Sequence, residues 1–184
     1  MPSPHHIVFV GLMGSGKTTV GRIVADRLHL PFVDNDAALE DRVHLTAADV
    51  QRRRGVVALH DLERQILLEH LRDERPTVIA AAASTIEDDE VRHELSRRAI
   101  VVWLRAEVET LVDRVHTSTD RPLSDDPTAT LIEQQSHRAA AYRSIADVVV
   151  DTDRHDPERL GKLLASRFAV ELVPAKDAGH PTDT

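Results

Sequence analysis

The chain has 184 residues, 41% of them hydrophobic and 29% charged, which is enough for one domain with a proper core; a second full domain is not expected. A formal net charge of −8 argues against a nucleic-acid groove, and 3% aromatic residues leave little on which to stack bases. There is no cysteine, which excludes disulfides and thiolate metal sites. The opening "MPSPHH" lacks a charged and then apolar leader, and no apolar run approaches the roughly 20 residues that span a bilayer, so a soluble cytoplasmic protein without membrane partners is expected.

Along the chain, short apolar runs alternate with longer segments of helical period. "IVFVG" (7–11) reads as a buried strand, "GKTTVGRIVADRLHL" as a helix, and "FVDND" as a second strand with acids at its end. Further strands are expected at 77–80, 99–104 and 146–151, each followed by a helical stretch. This is the alternation of an α/β parallel sheet covered on both faces, with ligands beyond the strands' C-terminal ends. Residues 37–73 read as almost entirely helical, and 116–128, "HTSTDRPLSDDPT", as a polar, proline-containing and mobile segment. A single domain over 1–168 is expected, with 169–184 as a disordered tail.

"GLMGSGKTTVGR" carries the first chemistry. Gly11, Gly16, Lys17 and Thr18 match G-x-x-x-x-G-K-[ST] between a strand and a helix, the setting a phosphate-binding P-loop needs. Backbone N–H groups of Gly14, Ser15, Gly16, Thr18 and Thr19 would surround the phosphates of ATP, Lys17 would reach the terminal ones, and the Thr18 hydroxyl is a magnesium ligand candidate. The chain has three lysines against 20 arginines, so general surface usage does not explain a lysine here.

In "LPFVDNDAALE", Asp34 and Asp36 stand two apart, and a continuing strand would point both carboxylates to one side. A carboxylate there can hold magnesium, orient an attacking hydroxyl or accept its proton. The competing reading is an acidic cap on the next helix, which suits Asp36 before "AALED".

With these residues in place, "GLMGSGKTTVGRIVADRLHLPFVDNDAALE" resembles the opening of the shikimate kinases, small P-loop enzymes that move the γ-phosphoryl of ATP to a hydroxyl of shikimate. The likeness continues through "VIAAAASTI", "VVWLRAEVETLVDRVHTSTDRPL", "RAAAYRSIADVVVDT" and "DPERL". It implies a three-layer P-loop kinase fold with a five-stranded parallel sheet, a helical substrate-binding region near 37–70, a closing lid near 116–128, and a monomer. Carried over by position, Lys17 and Thr18 would serve ATP and magnesium, and Asp34 would lie near the metal and the reacting hydroxyl. Asp36 would bind substrate hydroxyls, Arg121 would close over the phosphates, Arg138 would bind the substrate carboxylate, and Arg154 and Arg114 would lie beside the adenine.

The departures cluster on the acceptor side. The family pattern G-E-x-x-F-R-x-x-E reads "GVVALHDLE" here, keeping Gly55 and Glu63 but placing Val56, Leu59 and His60 where the family has Glu, Phe and the carboxylate-gripping Arg. A histidine has shorter reach than a guanidinium, and its charge fades near neutral pH. His60 and Glu63 are three apart on an expected helix and can meet. Three successive glycines of the family are replaced by Ala82, Ala83 and Ser84, so methyl groups either fill the site or divert the loop, and Ser84 or Thr85 offers new donors. A left-handed conformation at any of these positions would cost about 1–2 kcal/mol. The remaining histidines lack metal spacing, and the arginines at 52–54 read as a solvated helix face.

The resulting expectation is an ATP-dependent kinase with an alcohol acceptor. In-line transfer would be stabilised by Lys17 and Arg121, with Asp34 acting on the acceptor hydroxyl and Asp36, His60, Ala83 and Arg138 around it. Three alternatives stand: a small polyol or hydroxy acid other than shikimate, shikimate itself, or a non-catalytic nucleotide-binding module.

Overall fold

The computed structural model describes residues 6–116 and 126–171. In chain order these form β1 (His6–Val10), α1 (Lys17–Leu28), β2 (Phe32–Asp34), α2 (Asn35–Val43), α3 (Ala47–Arg54), α4 (Val56–Arg72) and β3 (Val78–Ala80). A 3₁₀ segment, Ala83–Glu87, leads to α5 (Asp89–Arg98), β4 (Ala99–Arg105), α6 (Val108–His116), α7 (Pro127–Ile145), β5 (Val148–Asp151) and α8 (Pro157–Glu171).

The five strands form one parallel sheet in the order β2-β3-β1-β4-β5. Its centre is apolar on both faces, as a doubly covered sheet demands. Ile7 and Phe9 of β1 turn toward α1 and α8, meeting Val20, Val24, Leu160 and Phe168. Val8 and Val10 turn the other way, toward Leu67 and Leu71 of α4, Leu95 of α5 and Tyr142 of α7. Tyr142 stacks on Trp103 of β4 with centroids 5.6 Å apart. A small separate core joins α2, α3 and α4 through Leu39, Ala47, Val50, Leu59 and Ile66. These three helices therefore have packing of their own.

The expected alternation is present with altered ends. Asp36 is not in a strand: β2 stops at Asp34, whose Oδ1 accepts from the backbone N–H of Asp36 (3.0 Å) and Ala37 (3.5 Å) and so starts α2. The cap is Asp34 rather than Asp36, and strand alternation does not relate the two carboxylates. The helical stretch after β2 comprises three helices, with the break between α3 and α4 at Gly55, whose φ of 86° is open chiefly to glycine. Among the described residues no helix is long and apolar enough to cross a membrane.

β1 lies between β3 and β4, and the chain turns to opposite sides of it before those two strands, so the loop after β1 opens at the sheet's switch point. The C-terminal ends of β2, β3 and β5 border the same edge.

Candidate active site

A cavity of ≈ 530 Å³ opens at that edge. Its floor is the loop from Met13 into the start of α1; Asp34, Asp36 and Ala80–Ala83 form one side, and Arg114, Thr152 and His155 the other. This volume lies in the range of small-molecule sites.

The loop is held from within and from across. A side chain at Gly11 would put its Cβ 2.2 Å from the carbonyl oxygen of Leu104, so the turn out of β1 admits only glycine. Lys17 Nζ donates to the carbonyls of Gly11 (3.0 Å) and Leu12 (2.9 Å), laying the ammonium along the loop's mouth. Arg114 of α6 donates through Nη1 to the carbonyl of Gly14 (3.2 Å) and to Thr152 Oγ1 (3.0 Å), and through Nη2 to the carbonyl of Thr152 (2.9 Å). Arg114 thus ties the loop to the end of β5. With the N-terminal end of the α1 dipole, this is a fixed concentration of positive potential suited to phosphates.

Across the floor, the Thr18 hydroxyl donates to Asp34 Oδ2 at 2.6 Å. One hydroxyl and one carboxylate, both oxygen donors on a cavity wall, suit a hard cation that takes its other ligands from phosphates and water. Among the described residues there is no cluster of three His, Asp or Glu able to hold a metal alone. Asp34 is fixed from both of its oxygens, one by the backbone of α2 and one by Thr18.

The acceptor side is carried by the turn after β3. Ala82 has φ −64°, and among described residues other than glycine only His29 and His44 have positive φ. The methyl groups are therefore accommodated without left-handed strain, and the loop runs into the 3₁₀ segment. Ser84 donates its hydroxyl to Glu63 Oε2, and Glu63 is only 2% exposed. Asn35 Nδ2 donates to the backbone carbonyl of Glu63 at 3.3 Å. His60, one turn earlier on α4, is half-buried.

From α7, Arg138 Nε donates to Glu87 Oε1 at 2.5 Å, and Tyr142, one turn on, donates its hydroxyl to the carbonyl of Ala83 at 3.1 Å. Burial pushes the Tyr142 phenol up from its ordinary value, so it stays a neutral donor.

Lys17, Thr18, Thr19, Asp34, Asp36, Ala83 and Arg114 thus share the cavity with Gly14, Ser15 and Gly16. Arg138 lies behind the 3₁₀ segment and His60 on α4, neither on the cavity wall; Arg154 is exposed, and the neighbouring His155 lines the cavity instead. Arg121 falls outside the described residues, as does most of the expected lid. The sequence reading missed Glu87 and the bracing role of Arg114. The acidic run "EDDE" (87–90) straight after the altered glycines was the available signal for Glu87.

A family model described as shikimate kinase matches residues 13–169. The shikimate kinase of Mesorhizobium japonicum is 38% identical over 148 residues, covering 79% of this chain and 72% of that protein. That of Brucella canis is 36% identical over 168 residues, covering 90% and 83%. Among solved structures, shikimate kinase from Acinetobacter baumannii in complex with shikimate has a TM-score of 0.85 at 28% identity, covering 93% of this chain and 96% of that one. A gluconokinase from Sinorhizobium meliloti, with a TM-score of 0.54 at 20% identity, shares the fold alone. The braced loop at the switch point and the agreement over almost the whole length lead to one conclusion: the chain belongs to the shikimate kinase family, a group of ATP-dependent small-molecule kinases.

Proposed function

We propose that this protein transfers the γ-phosphoryl of ATP to a hydroxyl of a small polar metabolite, and that shikimate is one candidate acceptor. The observation that carries the reading is the Thr18–Asp34 hydrogen bond of 2.6 Å beside the P-loop, which sets a carboxylate where an acceptor hydroxyl would meet the phosphates. Lys17 and the N-terminus of α1 stabilise charge on the transferred group, and Arg121, by its place in the family's pattern, adds to them. Asp34 orients the acceptor hydroxyl and takes its proton as the oxygen bonds to phosphorus and the bond to the bridging oxygen of ADP breaks. Its carboxylate then returns the proton to solvent. Thr18 and Asp34 are the residues that would hold magnesium, which when bound neutralises phosphate charge. Asp36 accepts hydrogen bonds from the acceptor's other hydroxyls, and Ala83 shapes the space around it. Arg114 and Arg154 serve the nucleoside end, the first by fixing the loop.

ADP release by the purified protein with Mg-ATP, measured without acceptor, with shikimate and with cyclitols and hydroxy acids, tests the reading. Acceptor-dependent release that is absent from Lys17→Ala is expected. ATP binding without any acceptor-dependent release would favour a nucleotide-binding module instead.

A further inference from the structure

We propose that Tyr142 is a positioning residue for the acceptor: its hydroxyl fixes the turn after β3 to α7, and that turn is the wall an acceptor meets beside Asp34. The proposal rests on the phosphotransferase reading above and adds to it a group that sets the acceptor side of the cavity.

The turn begins beside the carboxylate. Asp34 and Ala80 are partners in the register of β2 and β3, so residues 81–83 leave the sheet next to Asp34, and Ala80–Ala83 line the cavity together with Asp34 and Asp36. The start of the turn is tied to β1, where the backbone N–H of Ala81 donates to the carbonyl of Phe9 at 3.0 Å. Its middle is closed locally by Thr85, which donates to the carbonyl of Ala82 from its backbone N–H at 3.2 Å and from its hydroxyl at 2.7 Å. Its end is tied to α7 by Tyr142, whose hydroxyl reaches the Ala83 carbonyl across 59 residues of sequence. Ser84, one position on, is held to Glu63 through its side chain, whereas Tyr142 holds the backbone of the wall itself.

The donor is itself held in place. Tyr142 is 2% exposed, and its ring lies at 23° to that of Trp103, so packing fixes where the hydroxyl points. Burial disfavours the phenolate, and the donor is present at every pH at which the enzyme would be assayed. Tyr142 also borders, with Leu12 and Ser15 of the phosphate loop, a space of ≈ 10 Å³. Phenylalanine keeps the ring, its stack and that border, and removes only the tie to Ala83. Loss of the hydroxyl should therefore loosen the acceptor wall and leave the phosphate loop as it is.

The test compares the wild type with Tyr142→Phe and with Phe168→Leu, which removes bulk from the core on the other face of the sheet. Thermal midpoint, kcat, and KM for Mg-ATP and for the acceptor are measured, with shikimate, cyclitols and hydroxy acids as the probes. With the acceptor that turns over best, Tyr142→Phe should raise the acceptor KM about 3–10-fold and lower kcat by less, while the KM for ATP stays within about twofold. Phe168→Leu should lower the thermal midpoint and keep both KM values within about twofold of the wild type. An acceptor KM unchanged in Tyr142→Phe, a rise shared equally by ATP, or the same rise in Phe168→Leu overturns the positioning role and leaves the kinase reading standing. Silence from every acceptor in the wild type, with ATP still bound, removes the kinase reading and this role with it.

Discussion

The two sides of the cavity are held by opposite means. On the nucleotide side two cations are braced by backbone carbonyls, Lys17 on Gly11 and Leu12 and Arg114 on Gly14 and Thr152, so positive charge is positioned along the loop. Around the turn after β3, two carboxylates are held by side-chain donors, Glu63 by Ser84 and Glu87 by Arg138. A site that must draw in a polyphosphate needs positive charge and donors, whereas a site for a small polar molecule needs shape and hydrogen bonds.

The sharpest way to break this contrast is to remove a charge from the nucleotide side. Lys17→Ala should lower kcat by about 10²–10³-fold while leaving the thermal midpoint close to wild type, since the contacts of Lys17 to Gly11 and Leu12 lie within the loop. Retained turnover would show that the loop's ammonium is structural. Arg114→Ala should cost about 1.5–3 kcal/mol in urea unfolding and raise the KM for ATP more than that for the acceptor, because it frees the loop from β5. An equal rise in both KM values would make the two sides one coupled unit. Ser84→Ala leaves the buried Glu63 without its hydroxyl donor and should cost about 1–3 kcal/mol by the same measurement, with the KM for ATP unchanged.

The smallest effect is at the outer edge of the nucleotide side. The hydrogen bond from Arg105, whose Nη2 lies 3.0 Å from Asp151 Oδ2, holds the Asp151 carboxyl below its usual range. A carboxyl depressed by folding contributes stability above the ordinary aspartate range and loses it as the pH falls through the folded value. Arg105→Ala should therefore lower stability by about 0.2–1 kcal/mol near neutral pH, the pair being exposed, and the difference should vanish in acid. A difference that persists in acid would assign the effect to packing against Trp103, over which the Arg105 guanidinium lies at 6.0 Å.

The nucleotide side was legible in the sequence because its chemistry is local: Gly11, Gly16, Lys17 and Thr18 are consecutive parts of one loop between one strand and one helix. The alternation of apolar runs and helical segments likewise gave the parallel sheet, each run being a buried strand. Asp36 was misplaced because strand and helix compete for the same residues, and the side chain of Asp34, by capping α2, decides between them. The acceptor side was legible only as departures. That Ser84 answers Glu63 across 21 residues, and Arg138 answers Glu87 across 51, depends on how α4 and α7 pack around the 3₁₀ segment, which no local spacing contains. Arg154 and His155 differ by a single position, and the turn after β5 decides which of them reaches the cavity.

The most direct test of the central claim, that Asp34 brings the acceptor hydroxyl to the phosphate loop, is single-turnover phosphoryl transfer by Asp34→Asn with saturating Mg-ATP and the best acceptor found. Asparagine can still cap α2, so the fold should persist. The account predicts transfer slowed about 10²–10⁴-fold with nucleotide affinity retained within a few-fold. Transfer near the wild-type rate would contradict it.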